Sequence, residues 1–152
     1  MGELLINTHS PEETIQLGRA LGRRMKAGDV VILQGELGAG KTCLTKGIAL
    51  GLGLDDPAIV TSPTFILMNS YPTRIPLRHY DLYRIDGDQL PSLGFWDLRE
   101  SSVSIVEWGE RVDPGLLGRH YRVRFEITGE CSRRLHVSPA ETLNLPCRAP
   151  FE

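Results

Sequence analysis

The chain has 152 residues, of which 41% are hydrophobic and 24% are charged, a composition close to that of average globular domains. Its length predicts one domain that folds without disulfides or metals. The formal net charge of -2 disfavours a protein whose main activity is strong binding to nucleic acid. Three widely spaced cysteines form no CxxC pair, and no apolar run is long enough to cross a membrane. We therefore expect a cytoplasmic protein without a zinc site, a signal peptide or a membrane span.

The first predicted element is a helix that begins at Ser10. Ser10 can cap the helix, Pro11 suits its first position, and Glu13 completes a capping-box pattern. Apolar and small residues recur on one helical face, namely Ile15, Gly18, Leu21 and Met25. Gly28 is expected to end the helix.

A strand, a glycine-rich turn and a second helix follow. Residues 30–33 form a β-branched and aliphatic run that is typical of a buried parallel strand. Residues 35–40 are rich in glycine, and a helix is expected over residues 41–50. This order is the start of an α/β nucleotide-binding unit.

The middle and the C-terminal part contain further predicted strands. Residues 65–71 and 77–83 have strand-like composition, and residues 88–99 could form a short helix that Pro91 and Gly94 weaken. Residues 103–106 form another apolar strand. Alternation around Gly129 predicts an antiparallel hairpin, with apolar positions at Tyr121, Val123, Phe125, Ile127, Leu135 and Val137. Residues 1–138 are thus one domain, and residues 139–152 are expected to be a loose tail.

The glycine-rich turn matches the phosphate-binding pattern G-x-x-x-x-G-K-[ST]. Glycines allow backbone N–H groups to turn inward around an anion, and the following helix adds its N-terminal dipole. The lysine reaches the β- and γ-phosphates of ATP, and the threonine hydroxyl ligates Mg²⁺. The alternative, a glycine-rich loop before an ordinary helix, is disfavoured by the flanking strand and helix. The eight residues are Gly35, Glu36, Leu37, Gly38, Ala39, Gly40, Lys41 and Thr42.

Two acids are candidates for the metal shell or for orienting the attacking water. Glu107 follows the strand over residues 103–106, and Asp81 ends another predicted strand. Either could instead be an ordinary surface carboxylate at a strand end. His79 is either a polar strand residue or a side chain that orients Asp81. Because the glycine-rich turn is a phosphate-binding loop (P-loop), Glu107 is the better candidate for the metal shell.

A hydroxyl-rich loop at residues 61–64 is a candidate switch that senses the γ-phosphate, although a plain turn at Pro63 explains it equally well. Its switch residues would be Thr61, Ser62 and Thr64. Trp108, beside the second acid, could stack on a base or a partner, but core packing is the commoner use of tryptophan.

With these residues in place, the chain resembles the TsaE family, small bacterial ATPases needed to form threonylcarbamoyladenosine in tRNA. The P-loop alone is shared by many families, whereas the TSPTF and H-x-DLYR segments together are far more specific. The fold this implies is α/β, a three-layer P-loop NTPase-like fold with a mostly parallel central sheet and an antiparallel C-terminal hairpin. Besides the P-loop, the likeness rests on Thr61-Ser62-Pro63-Thr64-Phe65, His79-Tyr80-Asp81-Leu82-Tyr83-Arg84 and Val106-Glu107-Trp108.

The resemblance implies an ATPase with a distinct task. Lys41 and Thr42 would bind phosphate and Mg²⁺, Glu107 would be the metal-linked acid, and Asp81 would be needed for hydrolysis. The family acts with two partners, TsaB and TsaD, and TsaD transfers the threonylcarbamoyl group to adenosine 37 of tRNAs that read codons starting with A. ATP hydrolysis, slow without partners, would reset that assembly. The chain would contact tRNA through its complex with TsaB and TsaD.

Some assignments depart from the family or stay open. Cys43 stands where many relatives have a second threonine, and it would contribute its backbone N–H. Ser10, Thr14 and Arg133 are candidate contacts to the adenine. A small-molecule kinase and a nucleotide-sensing module without turnover remain alternatives, although no arginine-bearing lid is apparent. Arginines near the hairpin could be a solvated strand face or a docking surface for a partner or tRNA: Arg119, Arg122, Arg124, Arg133 and Arg134.

Overall fold

The computed structural model describes residues 2–36, 38–60, 68–81, 94–107, 117, 119–140, 145–146 and 150–151. Within these residues, seven strands and three α-helices are present. The strands are β1 (Leu4–Thr8), β2 (Val30–Gln34), β3 (Met68–Tyr71), β4 (Leu77–Asp81), β5 (Val103–Glu107), β6 (Tyr121–Ile127) and β7 (Arg133–Ser138). The helices are α1 (Pro11–Arg24), α2 (Lys41–Gly51) and α3 (Phe95–Leu98). No helix in this described part is long and apolar enough to cross a membrane.

The strands form one mixed sheet in the order β1-β7-β6-β2-β5-β4-β3. The three central pairings, β6 with β2, β2 with β5 and β5 with β4, are parallel. The outer pairings are antiparallel, including the hairpin of β6 and β7. The α/β fold, its parallel centre and its antiparallel C-terminal hairpin are therefore confirmed. β1, which pairs with β7 at the sheet edge, is an element that the sequence pattern does not predict.

Both faces of the central strand β2 are covered, which explains its unbroken apolar sequence. Val31 and Leu33 join the larger core beneath α1 and α2. Val30 and Ile32 join a smaller core on the opposite face, together with Tyr80 of β4 and Phe95 of α3. Successive side chains of a strand point to opposite faces, so one apolar run serves both cores. The three layers of the predicted fold follow from this arrangement.

Helix α1 begins as its sequence predicts but ends earlier. The Ser10 Oγ accepts a hydrogen bond from the Glu13 backbone N–H at 3.1 Å, and Pro11 is the first helical residue. The Glu13 carboxylate accepts from the His9 backbone N–H at 3.0 Å, one residue before the cap. The prediction that Gly28 ends the helix is wrong, because the last helical residue is Arg24. Gly28 instead has a φ of 95° in the turn that leads into β2.

The backbones of α1 and α2 are in direct contact along a line of glycines. A Cβ atom at Gly47 would lie 2.1 Å from the Ile15 carbonyl oxygen, and one at Gly22 would lie 2.4 Å from the Ile48 carbonyl oxygen. Gly18 and Gly51 are equally crowded. Small residues at these positions allow the close approach, which in turn sets where α2 begins relative to the start of α1.

The C-terminal segment, expected to be loose, is packed at two positions. Leu145 and Phe151 are each 8% exposed and belong to the larger core. At these positions the segment lies against the fold. The predicted strand residues 65–67 and 82–83 and the predicted helix residues 88–93 lie outside the described residues. The rest of those elements corresponds to β3, β4 and α3.

Candidate nucleotide-binding and catalytic site

The glycine-rich loop joins β2 to α2, as the sequence predicts. Gly38 and Gly40 have φ values of 80° and 110°, a left-handed region that residues with side chains rarely adopt. The Ala39 backbone N–H donates to the Glu36 carbonyl oxygen at 3.1 Å and closes the turn. Leu37 lies outside the described residues. Left-handed glycines of this kind allow the backbone N–H groups of a loop to face an anion.

The N-terminus of α2 is left without a side-chain cap. Gly40 occupies the cap position, and no side-chain hydrogen bond is made there, in contrast to Ser10 at the start of α1. The N–H groups of the first helical turn have no intrahelical acceptor, so they are available to an anion. Thr42 and Cys43 in this turn are partly exposed.

Lys41 is folded back over the loop that precedes it. The residue is 6% exposed, and its Nζ donates to the Gly35 carbonyl oxygen at 2.8 Å. A buried ammonium group requires such partners. A bound phosphate would supply a stronger acceptor at the same end of the helix.

The side chain of Phe125 in β6 packs against the glycine-rich loop. A Cβ atom at Gly35 would lie 3.0 Å from the Phe125 Cβ, and one at Gly40 would lie 3.6 Å from the ring. The ring is nearly buried, with 6% exposure. This contact was not recognised in the sequence, where Phe125 is only one apolar position of the alternating hairpin strand.

Asp81 and Glu107 are neighbours across two parallel strands. They are register partners at the carboxyl ends of β4 and β5, and Glu107 is also the partner of Leu33 in β2. Both residues are buried, with 4% and 3% exposure, respectively. Carboxyl ends of parallel strands meet at one edge of the sheet, and the P-loop leaves β2 at that same edge. The two predicted acids thus lie at the edge of the sheet that carries the phosphate loop.

His79 contacts Glu107, a pairing that residue spacing does not predict. The His79 Nε2 lies 3.1 Å from the Glu107 Oε1, and the imidazole is fully buried. Its Nδ1 is buried and has no hydrogen-bond partner among the described residues. With the glutamate ionised, Nε2 must carry the hydrogen and donate it. His79 therefore orients the acid of β5.

A cavity of about 190 Å³ lies beside the loop. It brings together Thr14 and Arg133, two of the three predicted adenine contacts, and also Cys43, the predicted backbone donor at the start of α2. Ser10, the third predicted adenine contact, is not among the lining residues, and its hydroxyl caps α1. The cavity is lined by Pro11, Thr14, Gly38, Gly40, Cys43, Glu130, Cys131 and Arg133.

Thr14 presents its methyl group rather than its hydroxyl toward the loop. Its Oγ1 lies 2.8 Å from the Thr8 Oγ1, and both residues are buried. A Cβ atom at Gly40 would lie 3.8 Å from the Thr14 Cγ2. Thr14 is thus suited to van der Waals contact with a ligand, and its hydroxyl ties α1 to the end of β1.

Tyr80 and Glu126, both outside the loop, are among the described groups that have a shifted pKa. Burial raises the pKa of Tyr80, against a smaller lowering effect of Arg78. On the hairpin, the hydrogen bond from His136 lowers the pKa of Glu126, whose Oε1 lies 3.2 Å from the His136 Nε2. Neither group belongs to the site. The candidate switch residues Thr61, Ser62 and Thr64, and Trp108, lie outside the described residues.

A family model described as threonylcarbamoyl adenosine biosynthesis protein TsaE matches residues 8–135. The chain belongs to the TsaE family. Relatives named tRNA threonylcarbamoyladenosine biosynthesis protein TsaE include one from Mycobacterium bovis, 42% identical over 135 residues, which covers 82% of this chain and 79% of the relative. A Nostoc relative is 40% identical, over 84% of this chain and 81% of its own length. A Bacillus subtilis relative is 36% identical, over 89% and 85%.

A solved structure supports the same assignment. The crystal structure of YdiB from Bacillus subtilis superposes with a TM-score of 0.71 and 31% sequence identity. The match covers 89% of this chain and 84% of that one. The resemblance that the P-loop, TSPTF, H-x-DLYR and VEW segments indicate is therefore confirmed at the level of the family.

Proposed function

We propose that this chain is the ATP-binding and ATP-hydrolysing component of tRNA threonylcarbamoyladenosine synthesis. It acts with TsaB and TsaD in the cytoplasm and does not itself transfer the threonylcarbamoyl group to adenosine 37. One observation carries the proposal. An uncapped helix N-terminus with a folded-back lysine lies at the sheet edge where two buried acids also end their strands.

ATP binding is assigned to the loop and the start of α2. Backbone N–H groups of residues 38 and 40–43 would surround the β- and γ-phosphates, and Lys41 would exchange the Gly35 carbonyl for a phosphate oxygen. Thr14 and Cys43 would contact the remainder of the nucleotide in the neighbouring cavity.

The donor set fits Mg²⁺. This ion prefers hard oxygen ligands and usually binds through one or two protein side chains together with phosphate and water oxygens. Thr42 supplies a partly exposed hydroxyl in the first turn of α2, and Glu107 supplies a carboxylate at the adjacent strand end. Bound Mg²⁺ would supply charge neutralisation at the phosphates.

The hydrolytic step is assigned to the two acids with one positioning residue. Asp81 would orient the attacking water or accept its proton, while Glu107 would hold the metal shell. His79 would keep the Glu107 carboxylate in one rotamer through its hydrogen bond. Thr61, Ser62 and Thr64 would sense the γ-phosphate and convey the nucleotide state to the partners, and tRNA would be met through the complex.

The test is an ATP-binding and ATP-hydrolysis assay with and without TsaB and TsaD. Charge-assisted hydrogen bonds contribute roughly 1.5–3 kcal/mol, so Lys41→Ala should weaken ATP binding by about 10- to 100-fold. Asp81→Asn and Glu107→Gln should retain binding and slow hydrolysis by about 100-fold or more. The wild-type rate should rise when both partners are added.

Three results would contradict the proposal. Fast hydrolysis by the isolated chain that the partners leave unchanged would remove the assembly-linked role. Formation of ADP that depends on an added hydroxyl acceptor would identify a kinase. Normal function of the complex with Glu107→Gln, with ATP bound but not hydrolysed, would identify a nucleotide-sensing module.

A further inference from the structure

The Arg133 guanidinium connects two segments that are far apart in the chain. Its Nε donates to the Ala39 carbonyl oxygen at 3.0 Å, and its Nη2 donates to the Gly38 carbonyl oxygen at 3.0 Å. Its Nη1 faces three carbonyl oxygens of the β6–β7 turn, those of Gly129, Glu130 and Ser132, at 2.9, 3.3 and 2.8 Å. One side chain thus holds the phosphate loop against the hairpin turn.

The contact with the loop follows from the geometry of an anion-binding backbone. When successive N–H groups turn inward, the carbonyl groups of the same peptides turn outward and need donors of their own. Gly38 and Ala39 lie in the tightest part of the loop, where Gly38 has a φ of 80°. Arg133 supplies donors to both carbonyls from the outside. Its bond to the Ala39 carbonyl opposes a flip of the peptide that carries the Gly40 N–H, and its bond to the Gly38 carbonyl holds the peptide whose N–H donates to Glu36 and closes the turn.

These contacts also change the role assigned to Arg133. A guanidinium has five N–H donors, and here the Nε–H, both Nη1 hydrogens and one Nη2 hydrogen face backbone carbonyls. The ion pairs of the hairpin among the described residues belong to Arg134 and His136, and none of them includes Arg133. It lines the cavity mainly as a fixed wall, with a single N–H left for a ligand.

We propose that Arg133 is a positioning residue that preorganises the P-loop through its outward carbonyls and thereby sets nucleotide affinity. The proposal deepens the ATP-binding function above and rests on it for its consequence, but the clamp itself is a property of the nucleotide-free protein. Because the same guanidinium holds the β6–β7 turn, the order of that turn and the order of the loop are coupled.

The clamp is tested first without nucleotide, by hydrogen exchange resolved to short peptides. Arg133→Ala should speed exchange by about tenfold or more at two hydrogen-bonded amides, that of Ala39, which donates to the Glu36 carbonyl, and that of Thr128, which donates to the Ser132 carbonyl, while residues 15–22 of α1 keep their rates. Arg134→Ala is the matched control. It removes the same charge from the next residue of β7, whose side chain instead lies near Glu126 and Asn7. Unchanged exchange in the loop of Arg133→Ala would overturn the clamp.

The consequence for binding is tested by titrating Mg·ATP and Mg·ADP into the same variants. Arg133→Ala should weaken both by about 10- to 100-fold, and Arg134→Ala should change them less than about twofold. Arg133→Lys keeps the charge and the stem but cannot reach both sets of carbonyls, so it should bind nearly as weakly as Arg133→Ala. Arg133→Lys also replaces Arg133→Ala in these measurements if the alanine variant does not fold.

The outcomes separate the clamp from the proposed function. Full affinity in Arg133→Lys would show that charge alone matters and would overturn the positioning role. Faster exchange in Arg133→Ala would support the clamp even if the wild-type chain bound no nucleotide. That absence of binding would refute both the ATPase assignment and the role of Arg133 in nucleotide affinity. A loop with unchanged exchange but weakened ATP binding would assign Arg133 to direct ligand contact instead.

Discussion

Replacing Gly47 by alanine inserts one methyl group where α1 and α2 meet backbone to backbone. The new Cβ would lie 2.1 Å from the Ile15 carbonyl oxygen and 2.7 Å from the Gly18 Cα. Ordinary contact begins at 3.4 Å, so the helices would have to separate by about 1.3 Å. Both contacting atoms belong to the backbone of α1, and no side-chain rotation relieves the overlap.

The expected cost exceeds the gain that alanine brings to a helix. Alanine is favoured over glycine in a helix interior by about 1 kcal/mol, whereas overpacking costs about 1–3 kcal/mol and occasionally more. With backbone atoms on both sides, the upper end applies, so we expect a net loss of about 2 kcal/mol. The displacement would also move the first turn of α2 away from Thr14, which should weaken ATP binding.

The assay is equilibrium unfolding in urea, followed by circular dichroism, with ATP titration of the folded variant. Gly129→Ala is the control, because a Cβ there would meet its nearest atom, the Ser132 Cβ, at an ordinary 3.5 Å. It should change stability by less than about 0.5 kcal/mol. A Gly47→Ala protein as stable as the wild type would refute the backbone contact between the two helices.

Three further predictions follow from the site and the hairpin. His79→Ala should leave ATP affinity within about twofold but slow hydrolysis and raise the Mg²⁺ concentration needed for half-maximal rate; an unchanged Mg²⁺ dependence would argue against its orienting the β5 glutamate. Cys43 and Cys131 line one cavity, so Mg·ATP should slow the alkylation of both by small reagents, measured by mass spectrometry. Alkylation rates that are equal with and without Mg·ATP would show that the nucleotide does not bind in this cavity. The Glu126 carboxylate, whose pKa the His136 hydrogen bond holds below its usual value near 4.5, stabilises the fold above that value, and the effect is lost as pH falls through the lowered pKa. Glu126→Gln should therefore be less stable than the wild type at pH 5.5 in urea unfolding, and the difference should shrink as the pH falls below 4.5 and through the lowered pKa. A difference that stays constant on acidification would contradict this origin.

Local patterns were sufficient to predict the nucleotide-binding unit. The apolar run of β2, the glycines of the loop and the start of α2 are contiguous, so their geometry depends on neighbours in the chain. Glu107 could be found in the same way, because it follows directly on an apolar strand. The hairpin of β6 and β7 was visible from alternation and a turn residue between two nearby strands.

Other features depend on partners that are distant in the chain. β1 is a short strand whose register partners lie in β7, with Leu4 opposite Val137, and no local signal indicates that pairing. The end of α1 at Arg24 was missed because Gly28 is an equally plausible stop from sequence alone. The packing of Phe151 into the core likewise has no periodic signal around it.

The sequence alone therefore determines the phosphate-binding loop, because glycines, a lysine and a hydroxyl residue in eight consecutive positions are sufficient to form an anion site. Only the folded sheet could bring Asp81 beside Glu107, since strand register is a property of the pairing. The same holds for the contacts of His79 with Glu107 and of Arg133 with the loop. Side chains of arginine and histidine find whichever acceptors the fold brings within reach, and residue spacing does not record those acceptors.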